Sequence, residues 1–250
     1  MDIELFDVQT GFGGAEPGNT MVASAEDLLA EMARLDIARA LVREVPDTLV
    51  NDVPRSNEKL YEAHARHSSL VPCPLVVPAT GYDLPPEKAQ IDAALDAGAG
   101  AVAIRPAQDH WSLEPWCCDR LFQTIEERRT PVFCLNDKIP LEALAGLARR
   151  YPEIPFILAG IGYRTQRIIL PMMETFPNIY LSVGSNMSVH QGLDQLVAKI
   201  GAPRMLFGTG FPQIEAMCGV TLLMYAGIPD EAKTLIGAGN LARLINQIRR

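Results

Sequence analysis

Two alternating patterns restrict the fold of this chain more than any other feature. A short, mainly apolar run is followed each time by a stretch in which apolar residues recur at helical spacing. The runs read "IELFDVQ", "ARALVRE", "LVPCPLVVPA", "AVAIRPA", "PVFCLND", "PFILAGIG", "NIYLSVGS" and "RMLFGTGFP". Most are continuous rather than alternating, which suits parallel strands buried on both faces. After the first run, "SAEDLLAEMARLD" places Leu28, Leu29, Met32 and Leu35 on one helical face, with Ser24 and Asp27 set to cap it. Eight such units in 250 residues predict an α/β fold, a (β/α)8 TIM barrel, with residues 1–250 as one domain. A doubly wound sheet is the rival, but no G-x-G-x-x-G follows the first run, and "GFGGAEPG" reads as a flexible loop.

Proline modifies the pattern in two places. The prolines of "LVPCPLVVPA" predict irregular hydrogen bonding in the third strand. Pro171, inside "RTQRIILPMMETFP", is expected to kink or divide its helix. The closing stretch "PDEAKTLIGAGNLARLINQI" reads as helix.

Composition excludes several functions. A net charge of -8 and the lack of a basic patch with interleaved aromatics give no basis for binding nucleic acid. No apolar run approaches the roughly 20 residues that span a bilayer, and "MDIELFDVQT" lacks the basic start of a secretory signal. Five cysteines without framework spacing fit a reducing cytoplasm. Cys117 and Cys118 are read as helix packing, and Cys134 as an inert thiol facing the helices.

In a barrel of this kind the site lies at the C-terminal ends of the strands. At those ends the ordered series "AGAVAIRP", "PVFCLND", "FILAGIG", "NIYLSVGS" and "APRMLFGTGFP" resembles the amidohydrolase-related family of metal-dependent hydrolases and decarboxylases. "LLAEMARLDIARALV", "NEKLYEAHARHSSLVPCPLVVPA" and "IGAGNLARLI" extend the resemblance over almost the whole chain. The resemblance implies a metal held by a His-x-His pair on strand one, a His on strand five, a His on strand six and an Asp on strand eight. Gln9 and Gly11 stand at the first pair, Leu135 and Gly160 at the next two positions, and Gly210 replaces the Asp. A catalytic zinc needs about three protein ligands, so no metal and no cofactor are expected.

The residues left to line a ligand pocket in the mouth are Asp7, Gln9, Arg105, His110, Asp137 and Arg164. Asp7 and Gln9, two apart, are expected on one strand face; Asp7 is either a lone carboxylate in the mouth or tied to backbone donors or Arg105. His110 and His190 follow strand ends and are candidate bases or surface loop residues. His64 and His67 are read as a solvated helix end, and Ser182, Ser185 and Ser188 are candidates by location alone. Two functions stay open. One is a barrel that has lost its metal site and acts as a non-catalytic binding or regulatory protein. The other is a metal-independent, lactonase-like hydrolase, or another enzyme acting on a small carboxylate. A small anionic molecule is a candidate partner in both, and a homo-oligomer is left open.

Overall fold

Strand and helix alternate from one end of the chain to the other in the computed structural model. It describes residues 3–14, 23–45, 52–187, 189 and 191–250. The order is β1 (Leu5–Gly13), α1 (Ala25–Arg34), β2 (Ile37–Val45), α2 (Val53–Arg66), β3 (Leu70–Pro72), α3 (Glu87–Asp96), β4 (Val102–Ala103) and α4 (Pro115–Arg128). It continues with β5 (Val132–Leu135), α5 (Leu141–Arg150), β6 (Phe156–Ala159), α6 (Gln166–Thr175), β7 (Ile179–Val183), α7 (Gly192–Ile200) and β8 (Met205–Phe207). Three further helices close the chain: α8 (Ala216–Met224), α9 (Asp230–Thr234) and α10 (Asn240–Asn246).

All strand pairs are parallel, in the order β1-β2-β3 and β4-β5-β6-β7-β8. Two sparse seams join these sets. Between β3 and β4, Ala103 N–H donates to the Pro74 carbonyl at 2.8 Å and Val76 N–H to the Ala103 carbonyl at 3.1 Å. Pro72 and Pro74 have no N–H to offer, which is why the regular ladder of β3 stops after three residues. Between β8 and β1, Gly210 N–H donates to the Gln9 carbonyl at 2.7 Å and Gly11 N–H to the Phe211 carbonyl at 3.2 Å.

Strand alternation then sorts side chains into two layers. Phe6, Leu41, Leu75, Ala103, Phe133, Ile157 and Leu206 fill the barrel. Val102, Cys134, Leu158, Leu181, Met205 and Phe207 pack outward against the helices. Both faces are therefore apolar, and the sequence runs are continuous. Each large side chain taken from water contributes about 1.5–3 kcal/mol.

The helix signals are realised closely. Ser24 Oγ accepts from Asp27 N–H at 3.0 Å, and Asp27 Oδ2 accepts from Ser24 N–H at 2.8 Å, completing a capping box. Of the two outcomes expected at Pro171, division does not occur: α6 runs through it as one helix, because a single proline removes one ladder bond and leaves the rest intact. The closing stretch is helical as expected, with a wider π turn, Leu235–Gly239, joining α9 to α10. That turn lays Gly237 against β1, where a side chain would stand 2.7 Å from the Glu4 carbonyl oxygen.

Candidate barrel-mouth site

β2 and β4 deliver two cations to the interior. Arg43 follows the inward Leu41 by two residues, and its guanidinium lies over the Phe133 ring, 4.5 Å from the centroid. Arg105, just beyond β4, is only 8% exposed. It grips Asp109 through Nη2–Oδ1 at 2.8 Å and Nε–Oδ2 at 3.3 Å. This two-point pairing fixes the plane of the guanidinium.

β1 supplies Gln9. Its Oε1 accepts from Ser182 Oγ at 3.0 Å and from Gly160 N–H at 3.3 Å. One amide thus ties β1 to β7 and to the end of β6. Gly208 makes the room: a side chain there would stand 2.2 Å from Ser182 Oγ and 2.9 Å from Gln9 Cβ. Beside this knot, Gln9, Ser182, Ser185, Asn186, Thr209 and Ile214 border a space of ≈ 10 Å³, about enough for one water.

Asp7 does not share this face with Gln9. The pairing with β2 shifts register between Asp7 and Thr10, so strand alternation is broken there. The carboxylate, 2% exposed, sits instead in the β1–β8 seam. Oδ1 accepts from Gln9 N–H at 2.9 Å and Thr209 N–H at 3.0 Å, and Oδ2 accepts from the Thr209 hydroxyl. Burial raises its pKa above the ordinary carboxylate value, opposed by those hydrogen bonds and by the charge of Arg43. Of the alternatives open from sequence, backbone donors hold Asp7, and Arg105 pairs with Asp109.

The other sequence candidates lie apart. His110 is exposed, in a left-handed turn with φ 54°. The Asp137 side chain is 65% exposed and pairs with Lys138 at 3.1 Å. Arg164 is exposed and lies beside its neighbour Tyr163. Among the described residues, no hydrogen bond or ion pair joins these three to Gln9 or Arg105. Ser188 and His190, and residues 15–18 of the "GFGGAEPG" stretch, lie outside the described residues. His64 is not a loose helix end: its Nδ1 meets the Leu70 carbonyl at 2.9 Å and fastens α2 to β3. Cys134 is fully buried and faces outward; burial drives its thiol far above the usual range. Sequence reasoning passed over Arg43, although its spacing from Leu41 carried the signal. It also missed Thr209 as the partner of Asp7, a contact between opposite ends of the chain with no local signature.

The five positions where the resemblance places metal ligands are filled as follows. Gln9 has its oxygen engaged as described. Leu135 and Gly160 face each other, with Leu135 Cδ2 3.6 Å from where a side chain on Gly160 would begin. At Gly11 a Cβ would stand 2.4 Å from the Arg43 carbonyl oxygen, so β2 backbone occupies that space. Gly210 has φ +84°, and Ile214 Cδ1 lies 2.9 Å from its Cβ position. Among the described residues, no group of three or more His, Cys, Asp or Glu is placed to hold a metal ion.

The parallel closed sheet with its ring of helices defines a TIM barrel whose polar groups converge at the C-terminal strand ends. The family pattern described as amidohydrolase matches residues 10–246, and the chain belongs to that family. No curated protein matches the chain in sequence. Among solved structures, an uncharacterised TIM-barrel protein from Bordetella bronchiseptica superposes with a TM-score of 0.76 at 18% identity, covering 99% of this chain and 100% of that one. A 2,6-dihydroxybenzoate decarboxylase from Rhizobium gives a TM-score of 0.76 at 16% identity, with 98% and 99% covered. A dihydroxybenzoic acid decarboxylase from Polaromonas, solved with manganese and the inhibitor 2-nitroresorcinol, gives 0.70 at 15% identity, with 98% and 97% covered. At these identities the likeness is one of fold. No helix among the described residues is long and apolar enough to cross a membrane.

Proposed function

We propose that this barrel is a metal-independent member of its family, and that its mouth binds a small anion without the family's hydrolytic or decarboxylating chemistry. The observation that carries the reading is the fate of Gln9. At the first ligand position stands an amide oxygen that already accepts two hydrogen bonds, from Ser182 and Gly160. The other four positions offer a divalent metal no side-chain donor, and two of them are filled by Ile214 or by β2 backbone. These residues do not fit the metal that the Polaromonas relative holds. Arg43, half-buried over Phe133, and Arg105, buried and paired with Asp109, bring positive charge to the interior that favours an anionic ligand, carboxylate or phosphate.

The test is elemental analysis of protein purified without chelator, paired with thermal melting. Zinc, manganese and iron should be well below one equivalent, and adding each should leave Tm unchanged. Acetate, benzoate or phosphate should raise Tm, and Arg105→Gln should reduce that rise. One equivalent of metal, or a saturable rise in Tm with metal, refutes the metal-independent reading. No rise with any anion refutes the binding role.

A further inference from the structure

A groove of ≈ 640 Å³ runs beside the mouth, between the β3–α3 connection and the first two turns of α4. That volume is in the usual range for small-molecule sites, about 300–1,000 Å³. Two large aromatic side chains border it and bury almost nothing: Tyr82 is 97% exposed and Trp116 80% exposed. Tyr82 is held in the left-handed region, φ 60° and ψ 13°, a conformation that costs a non-glycine residue energy. An exposed ring on a strained backbone, bordering the same groove as a second exposed ring, is not explained by packing.

The charges of the groove have one sign to offer. Glu87, at the start of α3, is 8% exposed and its Oε1 accepts from Ala79 N–H at 3.1 Å, so this acid is committed to the wall. Arg120 follows Trp116 by four residues on α4, so guanidinium and indole share one helical face a turn apart. Arg120 makes no ion pair among the described residues. The groove therefore presents two π faces and one available cation.

We infer that this groove is a ligand site distinct from the barrel mouth, for a planar aromatic anion whose ring stacks on Trp116 and Tyr82 and whose acidic group meets Arg120. Stacking supplies an apolar, sequence-encoded platform, and the guanidinium selects for charge. The site stands whether or not the mouth reading holds, because it shares no residue with it.

The experiment uses the whole chain labelled with 15N. It has two tryptophans, Trp111 and Trp116, hence two indole N–H signals, assigned by Trp116→Phe. The probes are 2-naphthoate, the neutral 2-naphthamide and the non-aromatic cyclohexanecarboxylate. 2-Naphthoate should shift the Trp116 signal saturably and leave Trp111 in place. 2-Naphthamide should bind about fivefold more weakly, the scale of one partly exposed ion pair, and cyclohexanecarboxylate should not saturate. In Arg120→Gln the acid and the amide should bind alike. Tyr82→Ala should weaken both without changing the ratio between them. The inference is overturned if the shifts are linear or equal at both tryptophans, or if cyclohexanecarboxylate binds as well as the naphthyl acid. It is also overturned if Arg120→Gln keeps the preference for the acid, or if the Trp116 signal moves with protein concentration alone, which would show a second copy covering the groove.

Discussion

Replacing Gly210 by alanine tests whether the end of β8 is built around the lack of a side chain. Two costs can be read from the structure. The backbone is left-handed, φ +84°, and an L residue there loses roughly 1–2 kcal/mol. The new Cβ would meet Ile214 at 2.9 Å to Cδ1 and 3.3 Å to Cβ. Cδ1 can swing away, but Cβ cannot move without the chain, so the contact belongs in the overpacking range of about 1–3 kcal/mol. Together the expected loss is about 2–5 kcal/mol, a large share of a typical domain's stability. Urea unfolding followed by circular dichroism measures it as a fall in midpoint at constant slope. Ile214→Ala removes Cδ1 and Cγ1 but keeps Cβ. In the double mutant that share of the steric cost is relieved while the Cβ contact and the strain remain, so the two losses should sum to about 1 kcal/mol more than the loss in the double mutant. Gly210→Asp, which places there the residue type the resemblance implies, should lose at least as much and acquire no zinc affinity. A loss below about 0.5 kcal/mol for Gly210→Ala, or strict additivity with Ile214→Ala, would refute the reasoning.

Three further outcomes are expected. Gln9→Ala leaves Ser182 Oγ and Gly160 N–H without their acceptor and should lower stability by about 1–3 kcal/mol in the same assay; a neutral result would show that the knot does not hold the strands. Burial raises the Asp7 carboxyl above its ordinary value of 3.8, so its favourable contribution is complete below that value and is lost as pH rises through the folded-state pKa. The stability of Asp7→Asn relative to the native chain should therefore improve as pH rises above 3.8, and a constant or opposite difference in urea midpoints counts against this. Cys73 is pushed up to about 12 by burial and Cys134 higher still, whereas Cys218 is exposed; a thiol reagent at neutral pH should label Cys218 in the native protein and reach Cys73 and Cys134 only on unfolding.

Periodicity carried the architecture because a barrel strand buried on both faces must be apolar throughout, and its helix must be apolar on one side. The capping box at Ser24 and Asp27 was legible for the same reason: its partners are three residues apart. The outward direction of Cys134 followed from parity with Leu135. Parity failed at Asp7, where a register shift sends the carboxylate into the β1–β8 seam. Asp137 shares parity with Leu135, but β5 ends at Leu135 and the carboxylate lies at the surface; parity was silent on His110 and Arg164, which lie beyond strand ends.

The sequence by itself determined the eight alternating units, the family pattern and which residues, Gln9, Gly11, Leu135, Gly160 and Gly210, stand where the resemblance places metal ligands, because each is a matter of residue type along the chain. Only the tertiary structure decided what fills those positions. Ile214 stands against Gly210, the β2 backbone lies against Gly11, and Ser182 reaches Gln9 from 173 residues away. Barrel closure brings residues 7–11 beside residues 209–211, and that contact is set by the geometry of a closed sheet, which has no counterpart in local sequence.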